Sequence, residues 1–208
     1  MIGVLGGTFN PIHYAHLRCA IEVRDLFGLA QVRLIPNAQP PHRQAPQVSP
    51  ERRADMLDLA LVGHTGLICD RRELQRPQPS FMVDTLASLR GDFPDQPLLL
   101  FIGNDAFNHL GGWHRWQQLF DYAHIVVMTR PGSTAKRVEG FLRGRCTRNS
   151  QDLCGALAGK LFFQAVTALD ISATAIRNCI ARQQDPSFLL PDAVIAYIRQ
   201  HQLYQVPE

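Results

Sequence analysis

Residues Met1 to His16 read MIGVLGGTFNPIHYAH, and the fold turns on how this stretch is read. Ile2 to Leu5 is a short apolar run, the pattern of a strand buried on both faces. Gly6 and Gly7 follow, then Pro11, then two histidines three residues apart, His13 and His16. This order predicts a strand, a Gly-Gly turn and a helix that begins near His13 or Tyr14. A helix N-terminus carries unpaired N–H groups and the positive end of a dipole, which suits an anion. Glycines without a Cβ let backbone approach a phosphate closely, and the two histidines share one face of the first turn. A plain turn followed by surface histidines explains the same residues, and spacing alone leaves the two readings level. Metal ligation is weakly indicated, because no Cys or carboxylate stands near the pair.

Outward from this stretch, short apolar runs alternate with amphipathic ones. The segments VRLI from Val32, LLLFI from Leu98, IVVM from Ile125 and LFFQAV from Leu161 read as further buried strands. HLRCAIEVRDLFG and ERRADMLDLALVG show helical spacing and stop at Gly28 and Gly63. Ser49 before Pro50 predicts a capped helix start. Strands alternating with helices predict an α/β fold, a Rossmann-like doubly wound parallel sheet flanked by helices, formed as one domain over residues 1–208. Ligands of such sheets bind beyond the carboxyl ends of the strands. The opening turn, the Pro-rich loop Pro36 to Pro50, GND after Ile102 and TRPG after Met128 all lie there. A ligand bearing phosphates is the natural candidate.

The 21 Lys+Arg against 18 Asp+Glu give a formal charge of +3, too balanced to indicate nucleic acid or a membrane surface. The basic stretch RGRCTR, Arg143 to Arg148, reads as a solvated loop. Five scattered cysteines without a CxxC pair point to reduced thiols. The first residues lack a basic leader, and no apolar run nears the roughly 20 residues of a membrane span, so a cytoplasmic protein is expected.

Two nucleotide signatures are absent: GxxxxGK[ST], and GxGxxG after the first strand. A second candidate lies far along the chain, where DISATAIRNCI (Asp170 to Ile180) opens a helix after a strand. Ser172 is a natural N-cap, Thr174 lies in the first turn, and Arg177 is one turn further on. Simple capping accounts for the segment, but an arginine fork also chelates phosphate oxygens.

GGTFNPIHYAH together with ISATAIR resembles the HxGH and ISSTxxR signatures of the nucleotidyltransferase superfamily. More closely, the chain resembles the bacterial nicotinate-nucleotide adenylyltransferases, through PNAQPPHR, RELQRPQPSFMVDTLASLR, FIGNDAF, WHRW and LLPDAVIAYIRQHQLY. The resemblance implies transfer of AMP from ATP to nicotinate mononucleotide by in-line displacement at the α-phosphorus, giving deamido-NAD and pyrophosphate. Mg²⁺ would enter on the ATP phosphates, and no protein ligand to a metal is implied. It also implies that His16, His13 and Arg177 are catalytic. Gly6, Gly7, Thr8, Phe9, His13, His16, Gly103, Asp105, Ser172, Thr174 and Arg177 would bind ATP. His42, Arg43, Thr85 and Trp113 would contact the nicotinate nucleotide. Bland alternatives stand beside several of these: a loop cap for Asp105, a core tryptophan for Trp113, a solvated loop for His42 and Arg43, and helix capping for Thr85.

Four positions depart from the family pattern: Asn10 for Asp, Ala15 for the Gly of HxGH, Met82 for a Thr near nicotinate, and Ala173 for a Ser. Asn10 and Met82 leave open the choice between nicotinate and nicotinamide mononucleotide as acceptor. A phosphopantetheine, sugar or polyol phosphate acceptor is disfavoured by chain length, PPHR and WHRW. A non-catalytic ATP or NAD sensor is disfavoured by the intact His16 and Arg177. The oligomeric state is not encoded in any of these motifs.

Overall fold

In the computed structural model, residues 1–38, 46, 48–76, 79–130 and 136–205 are described. The opening strand is β1, Ile2–Gly7, and it leads through a loop into α1, Tyr14–Leu26. After β2, Gln31–Pro36, come α2, Pro50–Leu61, and β3, Leu67–Cys69. Then follow α3, Met82–Asp92; β4, Leu98–Gly103; α4, Asn104–Asn108; and α5, Leu119–Tyr122. The chain closes with β5, His124–Thr129; β6, Leu161–Ala165; α6, Ala173–Ala181; and α7, Asp192–Gln200. The strands form one sheet in the order β3-β2-β1-β4-β5-β6. Pairs β1–β4, β4–β5 and β5–β6 run parallel, with Ile2 opposite Leu98 and Leu99 opposite His124. Strand order reverses between β1 and β4, so the switch point of this doubly wound sheet lies beyond Gly7 and Gly103.

The expected helix stops hold: Gly28 and Gly63 both take positive φ, 57° and 81°, which a side chain would resist. Ser49 caps α2, accepting from the Arg52 N–H at 3.4 Å, with Pro50 in the first turn. In RGRCTR, Arg143, Gly144, Cys146 and Arg148 are exposed as expected, while Arg145 is half-buried, its guanidinium 3.6 Å from the Phe141 ring centroid, so an aromatic face replaces part of its solvent.

Backbone packing divides the chain into two compact units. The first comprises Met1–Gly6, Glu22–Arg33 and Phe81–Ala168. Its interior is built on Ile2, Val4, Leu98 to Phe101 and Ile125 to Val127, all buried. Phe27 packs against Phe101 and Phe162 at 5.7 and 6.0 Å between ring centroids. Arg90 closes the end of α3 by donating to five carbonyls, those of Phe93, Pro94, Gln96, Tyr122 and Leu157. His124 is fully buried; its Nε2–H donates to the Ala156 carbonyl at 2.9 Å, and Nδ1 accepts from the Lys160 N–H at 3.1 Å.

The second unit comprises Gly7–Ile21, Leu34–Ser80 and Leu169–Glu208. Here α2 packs on α7, and the Tyr197 hydroxyl donates to Asp55 at 3.0 Å. Arg71 bridges Asp55 and Asp58 at 2.7 and 2.5 Å. Beside them, burial and then the Asp58 charge push the Cys69 thiol up to about 12, which keeps it protonated and unreactive.

Candidate functional site

The predicted phosphate residues fall mainly in the second unit, and the loop leaving β1 is their frame. Phe9 holds a positive φ of 46°, uncommon for a bulky residue and costly by about 1–3 kcal/mol. Its ring is the reason Gly7 must lack a side chain, since a Cβ there would stand 2.9 Å from the ring carbons. In the first unit, a Cβ on Gly6 would meet the Met82 methyl at 2.6 Å. At Gly7 the Phe9 ring leaves little room for a side chain, whereas at Gly6 the only near atom is the end of the flexible Met82 chain, which can shift. Ala15, standing where the HxGH pattern has Gly, is buried in α1.

The helix start is less open than the sequence suggests. The Tyr14 N–H donates to the Leu189 carbonyl at 3.1 Å, and the His16 N–H to the His13 carbonyl at 3.0 Å. The His13 and His16 rings are stacked, 3.8 Å between centroids and 28° between planes. Phe9 sets its ring edge-on to His16 at 5.1 Å, and His13 is only 4% exposed. The expectation that the two imidazoles share one face is met.

Helix α6 begins where expected. The Ser172 Oγ accepts from the Ala175 N–H at 3.1 Å, so the serine caps the helix. Arg177 donates from Nη2 to Thr174 Oγ1 at 3.2 Å and from Nη1 to the Asn10 carbonyl at 2.9 Å. That second bond ties α6 to the loop between β1 and the two histidines, across 167 residues of sequence. Thr174 is exposed and Arg177 half-buried.

Arg53, which no motif marks, organises the same loop. It is fully buried on α2 and donates to the carbonyls of Thr8, Asn37, Ala38 and Val48. Thr8 also accepts from the Asn37 amide at 3.3 Å, and Asn37 N–H bonds the Gly7 carbonyl at 3.0 Å. Burial lowers the Arg53 pKa from its ordinary value. The readable signal was an arginine inside the buried stripe Arg53, Ala54, Met56, Leu57, Ala60, Leu61.

In the first unit, Gly103 ends β4 and precedes α4, with Asp105 exposed in the first turn. Asp105 lends its carbonyl to His109 Nδ1–H at 2.8 Å. Thr85 is fully buried in α3, its hydroxyl 3.3 Å from the Phe81 carbonyl, a helical back-bond. Trp113 is half-buried. The residues after it are pinned to the start of α3: His114 stacks on Phe81 at 4.1 Å, and Arg115 pairs with Asp84. His42 and Arg43 lie outside the described residues. Among the described residues, no three His, Cys, Asp or Glu side chains are grouped to hold a metal ion. The second unit's set of His, Ser, Thr and Arg offers hydrogen-bond donors, the chemistry that suits phosphate oxygens. Among the described residues, no helix is long and apolar enough to cross a membrane.

Comparison with known proteins follows the same line. Residues 4–179 match the family model described as cytidylyltransferase-like. The chain is 46% identical to a probable nicotinate-nucleotide adenylyltransferase of Aeromonas salmonicida, over 98% of this chain and 97% of that protein. It is 44% identical to a protein of the same name from Pseudomonas aeruginosa, over 99% and 98%. Among solved structures it resembles Plasmodium falciparum nicotinic acid mononucleotide adenylyltransferase complexed with NaAD. That TM-score is 0.72 at 14% identity, covering 98% of this chain and 96% of the other.

Proposed function

The chain belongs to the cytidylyltransferase-like family and, within it, to the nicotinate-nucleotide adenylyltransferases, and from that premise we propose how its residues carry the reaction. It transfers AMP from ATP to nicotinate mononucleotide, releasing pyrophosphate and forming deamido-NAD for NAD biosynthesis. A phosphate oxygen of the acceptor attacks the α-phosphorus; the bond to the bridging oxygen breaks, and its electron pair leaves with pyrophosphate. The attacking group is already an anion, so no general base is required. Positioning and charge stabilisation supply the acceleration.

The observation that carries this reading is the bond from Arg177 to the Asn10 carbonyl, which joins α6 to the loop bearing His13 and His16. His16 takes charge on the transferred α-phosphoryl, and His13 stacks behind it. Arg177, with the hydroxyls of Ser172 and Thr174, holds the β- and γ-phosphates that depart. Gly6, Gly7, Thr8 and Phe9 form the backbone turn against ATP, and Gly103 and Asp105 take its ribose. Trp113 stacks on the nicotinate ring, and Thr85, His42 and Arg43 are assigned to binding of the nicotinate nucleotide on the family resemblance alone. Mg²⁺ carried on the triphosphate would supply neutralising charge for the leaving group, and no side chain of this chain is assigned to hold it. All of residues 1–208 serve as one nucleotidyltransferase domain, and five free cysteines support a reducing, cytoplasmic setting.

Pyrophosphate release with ATP and Mg²⁺, with nicotinate and nicotinamide mononucleotide offered in parallel, tests this. Strong preference for the nicotinate form is expected. Equal or reversed preference would make Asn10 and Met82 markers of a different acceptor, and silence with both would leave a nucleotide sensor. Trp113→Ala should raise the acceptor KM with little change in the KM for ATP.

A further inference from the structure

Asn10 stands where the sequence departs from the family pattern, and both of its carbonyls are engaged. Its backbone carbonyl accepts from Arg177 Nη1 at 2.9 Å; its side-chain Oδ1 accepts from the Tyr204 hydroxyl at 2.7 Å. One residue of the β1 exit loop thus receives a donor from α6 and another from the segment after α7. We propose that Tyr204 is a positioning residue for the nucleotide site, which fixes Asn10 so that its backbone carbonyl aims the Arg177 guanidinium. This rests on the reading of Arg177 as a triphosphate ligand.

The segment carrying Tyr204 is built to hold one hydroxyl in one place. Leu203 N–H bonds the Ile198 carbonyl at 3.0 Å, folding the chain back onto the end of α7. Gln202 and Tyr204 both take positive φ, 51° and 63°, a conformation that side chains avoid unless the surroundings impose it. Tyr204 is 7% exposed, and the same packing would be served by phenylalanine. What phenylalanine cannot supply is the donor to Asn10. The hydroxyl lies in the field of Arg177 and Arg53, which favour its ionised form, but burial outweighs them and raises its pKa. It is therefore a protonated donor at neutral pH.

Steady-state kinetics of Tyr204→Phe, Asn10→Ala, the double variant, Asn10→Asp and Arg177→Ala test the proposal. Losing one well-made hydrogen bond should raise the KM for ATP about three- to tenfold in Tyr204→Phe, with the acceptor KM near the parent's. The double variant should be no worse than Asn10→Ala alone, because both remove the same link. Asn10→Asp keeps an acceptor in place and should be milder than Asn10→Ala. An unchanged ATP KM in Tyr204→Phe, or effects that multiply in the double variant, overturns the proposal. So does an equal rise in both KM values with a lowered melting temperature, the mark of a merely structural tyrosine. If Arg177→Ala impairs ATP use while Tyr204→Phe does not, the positioning role alone fails. If Arg177→Ala leaves the ATP KM unchanged, the nucleotide role of Arg177 fails and takes this proposal with it.

Discussion

In the proposed reaction the placing of the His16 ring matters most: stacked on His13 and met edge-on by Phe9, the ring is held where the proposal needs a donor to the developing charge. His16→Ala should therefore lower kcat by about 100- to 1,000-fold while the acceptor KM moves little, which single-turnover and steady-state rates together would show. Arg53 acts on the same loop from beneath. Arg53→Met would strand the carbonyls of Thr8, Asn37, Ala38 and Val48, and should cost about 3–5 kcal/mol in urea unfolding. Arg53→Lys should not restore it, because an ammonium is a point donor and cannot span a fork of carbonyls. His13, His16 and Arg177 can be singled out from sequence because their types and spacing match a chemical task. Arg53 carries a weaker signal, a single charge among the buried positions of α2, whose meaning shows only with the carbonyls around it.

Elements were legible in proportion to their terminal signals. Helix α2 carries Ser49, Pro50 and Gly63, and both of its ends were placed from sequence. Helix α3 starts after Phe81 with no side-chain cap, so its sequence carries no start signal. Strand β3 is three residues long, too short for a period to declare itself. What α3 lacks at its start it gains at its end, where Arg90 gathers five carbonyls. Arg90→Ala should lower stability by about 2–4 kcal/mol, read as a shift in denaturation midpoint, with the Michaelis constants unchanged.

For the molecule entire, strand and helix alternation disclosed the fold class, while the order β3-β2-β1-β4-β5-β6 was beyond local reading, since it depends on which distant strands meet. The buried neutral His124 couples stability of the fold to pH. Burial depresses its folded-state pKa below the 6.5 of the free side chain. Below about pH 6.5 the unfolded chain binds a proton that the folded one refuses, so stability falls as pH falls. Melting temperatures between pH 7 and pH 5 should decline more steeply for the parent than for His124→Gln, which has nothing to titrate. The central pairing of Ile2 with Leu98 has its own consequence for synthesis. At roughly 5–20 residues per second, a ribosome needs about 5–20 s after β1 to deliver the strand that flanks it. Throughout that interval one edge of β1 is bare, and the nascent chain must be shielded from pairing with its neighbours.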